Sequence, residues 1–291
     1  MKKLIMTIAL VFIAVFAFTA CGAQFDPESN IAVVAREDGS GTKTAFMEII
    51  GLKGKADPTG TIKHSSTAAV MAEVKGNMYA IGYESLGYVT SDVKALKIDG
   101  VEPTVANIIN GTYKIARPLS IVYKEATLDT AINQAFYDFL MSSDAQTVIS
   151  EEGYVSTKDG AAAYVPNTAL TGTIKITGST SLQPLMEDLV AKFKTLQPNV
   201  TVTVGGGGSG TGYNDARNDV STFGMISEVF SNAADKGAGC VSAEVAKDGI
   251  AVIVNKANAL TNISMADLKN IYNTEETEAT KLSVWSQVLP A

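Results

Sequence analysis

The chain has 291 residues, of which 46% are hydrophobic and 7% aromatic, and its formal net charge at pH 7 is −7. This length and apolar content suffice for one large or two medium globular lobes, and 25 glycines are typical of an α/β protein with many tight loops. The acidic balance argues against a nucleic-acid binder, and a bound anion must therefore be held by local donors.

The N-terminus predicts an export signal over residues 1–20. Met1-Lys2-Lys3 is a positive start, and residues 4–18 form an almost continuous apolar run that is short for a membrane span. Small residues then precede Cys21, which favours a bacterial lipoprotein signal with a lipid on Cys21 and a polar tether over residues 21–30. An ordinary signal peptide with an incidental cysteine is the alternative.

Strand-like and helix-like segments alternate along the rest of the chain, which predicts mainly parallel sheets with crossover helices. The predicted strands are 31–35, 79–82, 93–98, 119–123, 173–177, 200–204, 223–226 and 250–254. The predicted helices are 44–50, 67–73, 105–110, 130–142, 145–152, 182–196, 212–218 and 265–272, with Ser65 or Ser66 as a cap candidate for the second. Residues 156–171 lack periodicity and predict a linker.

Three glycine and hydroxyl motifs each end a predicted strand and open a predicted helix. They are Asp38 to Thr42 (DGSGT), which follows Arg36, then Gly178 to Ser181 (GSTS), and the run from Gly205 to Gly212 (GGGGSGTG). Free backbone N–H groups and the positive dipole end of a helix meet at such corners. With one arginine, three such corners predict a cage for a small tetrahedral anion. A flexible linker is the alternative for the glycine run.

At these motifs the chain resembles the substrate-binding proteins of phosphate-specific ABC transporters. The matching segments are VAREDGSGT (34–42), AIGYESLGYV (80–89), IKITGSTSLQP (174–184), VGGGGSGTGY (204–213), FGMIS (223–227) and AKDGIAVIVN (246–255). The resemblance implies a two-lobe, type II periplasmic-binding-protein-like α/β fold. Each lobe is expected to be a mostly parallel sheet flanked by helices, and two crossing strands are expected to join the lobes.

The order of these segments differs from that of the family, in which the GSTSLQP-like segment comes first. The chain therefore looks like a circular permutant, with the linker at 156–171 joining the family's original ends. The crossings are predicted at 115–124 and 246–255. One lobe is then expected to comprise residues 31–114 plus 246–291, and the other residues 115–245.

The resemblance also implies the residues that contact phosphate and a partner that receives it. Asp38 is expected to hold the guanidinium of Arg36, or to cap the following helix. Ser227 lies where the best-known branch of the family has an aspartate that accepts the proton of hydrogen phosphate, so a hydroxyl replaces that carboxylate, and the adjacent Glu228 is the other candidate acceptor. The expected partner is an ABC permease, and the protein is expected to be an extracytoplasmic, lipid-anchored monomer. The expected phosphate contacts are Arg36, Ser40, Gly41, Thr42, Thr180, Ser181, Ser209 and Ser227.

Two other classes of function compete with this hypothesis. A secreted hydrolase or phosphatase needs a base, but the single histidine, His64, has no motif around it, and no Asp/His/Cys set has metal-ligand spacing. Neither glycine string is a P-loop, because no Gly-Lys-Ser/Thr follows. A binding protein for another oxyanion, or a phosphate sensor, remains open. We expect no metal, no cofactor and no catalytic residue.

Overall fold

The computed structural model describes residues 24–274 and 281–290, so the predicted signal and Cys21 lie outside the described residues. The strands are β1 (Ala32–Arg36), β2 (Ile62–His64), β3 (Ala80–Ser85), β4 (Val93–Ala95), β5 (Lys97–Ile98), β6 (Ala116–Tyr123), β7 (Gly172–Gly178), β8 (Val200–Gly207), β9 (Phe223–Ile226), β10 (Val241–Asn255) and β11 (Asn262–Ile263). The α-helices are α1 (Gly41–Ile49), α2 (Thr67–Gly76), α3 (Val105–Ile109), α4 (Ala131–Leu140), α5 (Ser143–Glu151), α6 (Gln183–Leu196), α7 (Ser209–Arg217) and α8 (Met265–Tyr272).

Eight of these strands pair side by side in the order β2-β1-β3-β10-β6-β9-β7-β8, and β4 pairs with β10 beside them. The outer strands pair in parallel, β1 with β2 and β3, and β7 with β8 and β9. The central pairs β3-β10, β10-β6 and β6-β9 are antiparallel. The predicted α/β class is confirmed.

The hydrophobic core divides in two along β6 and β10. One core draws on residues between Ile31 and Ile115 and between Ile250 and Trp285, together with Val155. We call this part the Arg36 lobe. The other draws on residues between Leu119 and Ala246, and we call it the Thr180 lobe. Because β10 has 15 residues, one continuous strand contributes side chains to both cores.

Along its C-terminal half, β10 alternates between the two faces of the sheet, as the period of two requires. Val252 and Val254 pack in one cluster of the Arg36 lobe, and Ala251 and Ile253 pack in the other. All four are 0% exposed. Burial on both faces explains why this segment reads as a continuous apolar run rather than an alternating one.

Most predicted elements are present, and three differences are informative. The run predicted as one strand at 93–98 is divided into β4 and β5, since Leu96 N–H bonds to the carbonyl of Val252 while Lys97 turns to β11. The short strand β2 was not predicted. Helix α7 begins at Ser209, three residues before its predicted start, so two glycines lie inside its first turn.

Part of the segment 21–30, predicted as a tether, is docked on the Arg36 lobe from Phe25 onward. Phe25 packs edge-on against Trp285 with 5.9 Å between ring centres. Asn30 forms an antiparallel bridge with Val284, and Ser29 O accepts a bond from Trp285 N–H at 3.2 Å. These contacts place the beginning and the end of the described chain side by side.

The predicted linker at 156–171 contains no helix or strand, yet it is fixed to the Thr180 lobe. Tyr164 N–H donates to Asp144 Oδ2 at 2.9 Å, and its ring lies 5.8 Å from that of Phe139. Asn199 donates to the carbonyl of Thr168 at 2.8 Å.

Within residues 24–274 and 281–290, the helices are all too short or too polar to cross a membrane.

We expect Trp285→Ala to lower the free energy of unfolding by about 3–5 kcal/mol, the usual cost of truncating a buried tryptophan. Trp285 is 0% exposed and its indole N–H donates to the carbonyl of Tyr79 at 3.2 Å. Urea denaturation measures the change. The control is Val165→Ala at an 84% exposed position, where we expect a change within about 0.5 kcal/mol. Equal effects of the two substitutions would contradict the docking of the C-terminal segment.

Candidate anion-binding site

The three predicted glycine and hydroxyl corners meet between the two lobes. The DGSGT corner joins β1 to α1, the GSTS corner joins β7 to α6, and the glycine run joins β8 to α7. The N-terminus of α2 joins them, because its first residue, Thr67, follows β2, which pairs in parallel with β1. Carboxyl ends of parallel strands therefore deliver several helix N-termini to one place, where first-turn N–H groups lack intrahelical partners.

Arg36 lies where these corners meet, and it is 1% exposed. Its Nε donates to the carbonyl of His64 at 3.3 Å, and Nη2 donates to the carbonyl of Ser65 at 2.9 Å. Its Nη1 donates to Glu84 Oε1 at 3.2 Å. These contacts fix the guanidinium from the Arg36 lobe and leave one edge directed at hydroxyl groups.

The free edge of the guanidinium reaches the opposite lobe. Its Nη2 donates to Thr180 Oγ1, on the Thr180 lobe, at 2.8 Å. Within the Arg36 lobe, Nη1 donates to Thr67 Oγ1 at 3.3 Å. Thr42 Oγ1 lies 2.7 Å from Ser181 Oγ, again across the two lobes. Sequence positions 144 residues apart are thus in direct contact around one cation.

A second pair of hydroxyls lies beside the backbone of the DGSGT corner. Ser209 Oγ accepts from Ser227 N–H at 3.0 Å and lies 3.4 Å from Ser227 Oγ. A Cβ added at Gly41 would lie 2.1 Å from Ser209 Oγ, so only glycine permits this approach. We call the side chains of Thr42, Thr67, Thr180, Ser181, Ser209 and Ser227 the hydroxyl cluster; in all but Thr180, the residue is buried.

The backbones of the two lobes also touch. Gly210 N–H donates to the carbonyl of Gly39 at 2.9 Å. A Cβ at Gly208 would meet the same carbonyl oxygen at 3.1 Å, and the φ of +87° at Gly208 favours glycine in any case. Glycine at these positions allows the first turn of α7 to approach the opposite wall.

Asp38 does not hold the guanidinium of Arg36, so that prediction is wrong. Its side chain is 89% exposed and pairs with Lys43 Nζ at 2.7 Å, and this contact lowers the pKa of the Asp38 carboxyl. Asp38 is not the helix cap either: Ser40 caps α1 and accepts from Lys43 N–H. The hydroxyl oxygen of Ser40, predicted to contact phosphate, is thereby engaged within its own loop.

Glu84 is the carboxylate that pairs with Arg36, and sequence reasoning missed it. It lies near the end of β3, is 0% exposed, and its Oε2 accepts from Ser85 N–H at 3.2 Å. Burial raises the pKa of the Glu84 carboxyl, while the charges of Arg36 and Arg117 oppose that shift. Glu84 lies two residues beyond the predicted strand 79–82, and the observed β3 extends to Ser85, so it is the continuation of that strand that buries the carboxylate and requires a partner for it.

Arg117 was also missed. It forms a buried ion pair with Asp248 across the β6-β10 register, with Nη2 3.0 Å from Oδ2. Its Nη1 donates to the carbonyl of Ser227 at 3.1 Å, which positions the loop after β9. The role of Glu228 was left open by the sequence. Its Oε1 lies 2.7 Å from Lys236 Nζ, and the same Nζ lies over the Tyr213 ring, 5.5 Å from its centre.

Comparison with known proteins places this geometry in a family. A family model described as a PBP superfamily domain matches residues 22–144 and 163–291. The chain belongs to the PBP superfamily. The predicted two-lobe periplasmic-binding-protein-like fold is confirmed by this match and by a solved structure from Streptococcus pneumoniae TIGR4. That structure is a phosphate ABC transporter, phosphate-binding protein; it has a TM-score of 0.69 and 33% identity, covering 90% of this chain and 100% of that one.

Curated relatives of this PBP superfamily protein match it over different lengths, some over almost the whole chain and some over less than half of it. Phosphate-binding protein PstS 2 of Streptococcus pneumoniae serotype 4 is 33% identical over 298 residues, which is 98% of this chain and 99% of that protein. Phosphate-binding protein PstS of Bacillus subtilis is 36% identical over 135 residues, which is only 45% of this chain and 43% of that protein.

We expect Glu84→Ala to lower the free energy of unfolding of the ligand-free protein by about 3–5 kcal/mol, because it leaves the buried charge of Arg36 without its carboxylate. Asp38→Ala removes an exposed partner of Lys43, and we expect a loss of less than about 1 kcal/mol. Urea denaturation of both variants beside the parent protein compares the two carboxylates. If Asp38→Ala cost as much as Glu84→Ala, the assignment of Glu84 as the partner of Arg36 would be wrong.

Proposed function

We propose that the protein binds inorganic phosphate outside the cytoplasmic membrane and delivers it to an ABC permease for uptake. One observation carries the proposal: Arg36 Nη2 donates to Thr180 Oγ1 at 2.8 Å, so hydroxyl corners from both lobes converge on one fixed guanidinium. The full-length relative is named a phosphate-binding protein, and the solved structure that matches over 90% of this chain is a phosphate ABC transporter protein.

The proposed contacts are Arg36, Ser40, Gly41, Thr42, Thr180, Ser181, Ser209 and Ser227. A buried oxyanion loses its hydration, and one arginine already paired with Glu84 does not replace it. Neutral hydroxyl and amide donors supply the rest, at about 1.5–3 kcal/mol for each hydrogen bond to a charged group. For Ser40 the backbone N–H is the better candidate donor, because its side chain caps α1.

Delivery requires that the anion enter and leave between the lobes. The Arg36–Thr180, Thr42–Ser181 and Gly39–Gly210 contacts all join one lobe to the other, so the site opens only if the lobes separate. We propose that they separate at β6 and β10, the two strands shared by both lobes, and that phosphate oxygens take the place of hydroxyl contacts upon closure.

The residue at position 227 bears on the choice among oxyanions. Ser227 offers a hydroxyl where a carboxylate would accept the proton of hydrogen phosphate, and Glu228 is engaged by Lys236. Since a hydroxyl both donates and accepts, protonated and unprotonated anions are separated less sharply. A thermal-shift panel of phosphate, sulfate, molybdate and arsenate tests this. Stabilisation by sulfate or molybdate and not by phosphate would favour the alternative of another oxyanion.

We expect Arg36→Ala to weaken phosphate binding at least about tenfold, which corresponds to about 1.4 kcal/mol, because it removes the charged donor of the site. Isothermal titration calorimetry measures the affinity. The control is Lys256→Ala, which makes the same change in net charge at an exposed position after β10, and its affinity is expected to equal that of the parent. An unchanged affinity for Arg36→Ala would remove the basis of the proposal.

We further propose that the protein is a monomeric lipoprotein held at the membrane by a lipid on Cys21. The positive start, the apolar run and the small residues before Cys21 support the lipid anchor.

We therefore expect Cys21→Ser to move the protein from the membrane fraction to the soluble fraction of cells, because no acyl chain can be attached to serine there. Immunoblotting of fractionated cells measures the distribution. Cys240→Ser, the only other cysteine change available, is the matched control and is expected to stay with membranes. Membrane retention of Cys21→Ser would contradict lipid anchoring.

We also propose that the chain is a natural circular permutant. The full-length match to the streptococcal protein and the half-length match to the Bacillus subtilis protein are expected if only the first shares its segment order. The bridge between Asn30 and Val284 puts the two ends of the described part of the chain side by side, as permutation requires.

We propose no enzymatic activity. His64 Nε2 lies 3.6 Å from Glu73 Oε2, and the backbone carbonyl of His64 accepts a hydrogen bond from Arg36 Nε. Turnover of a generic phosphate ester by the purified protein would support the hydrolase alternative instead.

A further inference from the structure

We propose that Thr67 is a further direct ligand of the bound oxyanion, an inference that rests on the proposed function. Sequence reasoning assigned Thr67 only as the start of a helix. In the structure its hydroxyl lies inside the hydroxyl cluster, 3.3 Å from Arg36 Nη1 and 3.4 Å from both Thr180 Oγ1 and Ser181 Oγ. Residue 67 is 2% exposed.

The direction of these hydrogen bonds gives Thr67 a donor role. A guanidinium only donates, so the Thr67 oxygen accepts from Arg36 and its own proton goes to another acceptor. In the ligand-free protein Glu84 is such an acceptor: burial raises the pKa of that carboxyl, and the side-chain hydrogen bond from Thr67 is among the contacts that oppose the rise. A bound oxyanion would take the Thr67 proton in place of Glu84. The Thr180 hydroxyl has the same hydrogen-bonding role, because it accepts from Arg36 Nη2 at 2.8 Å. One cation therefore orients two threonine hydroxyls, one on each lobe, and both present O–H groups to an anion between them.

The backbone around Thr67 supports the same role. Thr67 is the first residue of the ten-residue helix α2, and Ser66 caps this helix by accepting from Ala69 N–H. The first-turn N–H groups have no intrahelical acceptors, and the helix dipole adds a partial positive charge there. The hydroxyl and the helix end thus favour a negative charge at one point.

Glu84 fixes the geometry that Thr67 needs. It accepts from the same Nη1 atom that donates to Thr67, so the carboxylate and the hydroxyl share one nitrogen of the guanidinium. Arg36 is neutralised by Glu84, and each hydroxyl in the cluster consequently carries more of the anion binding than it would beside an unpaired arginine.

The test is phosphate titration calorimetry on Thr67→Val and Thr67→Ser. Valine has nearly the shape of threonine without the hydroxyl, and we expect a loss of affinity of at least about tenfold. Serine keeps the hydroxyl, and we expect an affinity within about threefold of the parent. Thr147→Val is the control: Thr147 also lies in a helix and is exposed in the Thr180 lobe, where its hydroxyl donates to the carbonyl of Ser143.

The outcomes separate this inference from the proposed function. If the parent protein does not bind phosphate, the proposed function fails and Thr67 is not at issue. If the parent binds and Thr67→Val binds equally well, Thr67 is no ligand. Equal losses for valine and serine variants would point to packing of the methyl group and would also overturn the inference. Should Thr67→Val fail to fold by circular dichroism, Thr67→Ala replaces it, with the same tenfold expectation.

Discussion

The structure depends on how it buries one guanidinium between two lobes. Arg36 is 1% exposed, and a buried charge persists only when it is paired and its donors are satisfied. Glu84 supplies the charge, and the carbonyls of His64 and Ser65 accept from one side. The remaining edge is directed at threonine hydroxyls of both lobes, so the same residue that must be stabilised in the fold is also the centre of the proposed anion site.

The second buried ion pair, between Arg117 and Asp248, joins strands β6 and β10 away from the proposed anion site. Arg117 and Asp248 face each other where β6 and β10 pass between the cores, and Arg117 also bonds to the backbone of Ser227. The crossing strands and the loop that carries Ser227 are therefore connected by direct contacts. Removing one member of such a pair leaves an unpaired charge, which makes the junction sensitive to single substitutions.

The sequence was sufficient for the class of fold and for the meeting of distant corners. Strong apolar runs such as 250–254 and glycine corners such as Gly178 to Ser181 indicate a strand or a strand end from local sequence alone, and the structure has a strand or a strand end at both places. It was insufficient for the partners of Arg36. Asp38 is two residues away in sequence, but Gly39 has φ of +86° and Lys43 lies one helical turn on, so the carboxylate turns outward to the lysine. Glu84 reaches Arg36 through strand pairing, which a single sequence does not reveal.

With the proposed lipid on Cys21, the docking of Phe25 against Trp285 would also limit how the protein is placed at a bilayer. Only three residues separate Cys21 from Phe25, and four residue steps of extended chain span at most about 14 Å. An acyl chain on Cys21 would thus hold the Trp285 edge of the molecule close to the lipid headgroups. Such a short attachment permits tumbling about one pivot but little excursion outward, so encounters with a permease would depend on lateral diffusion within the membrane plane.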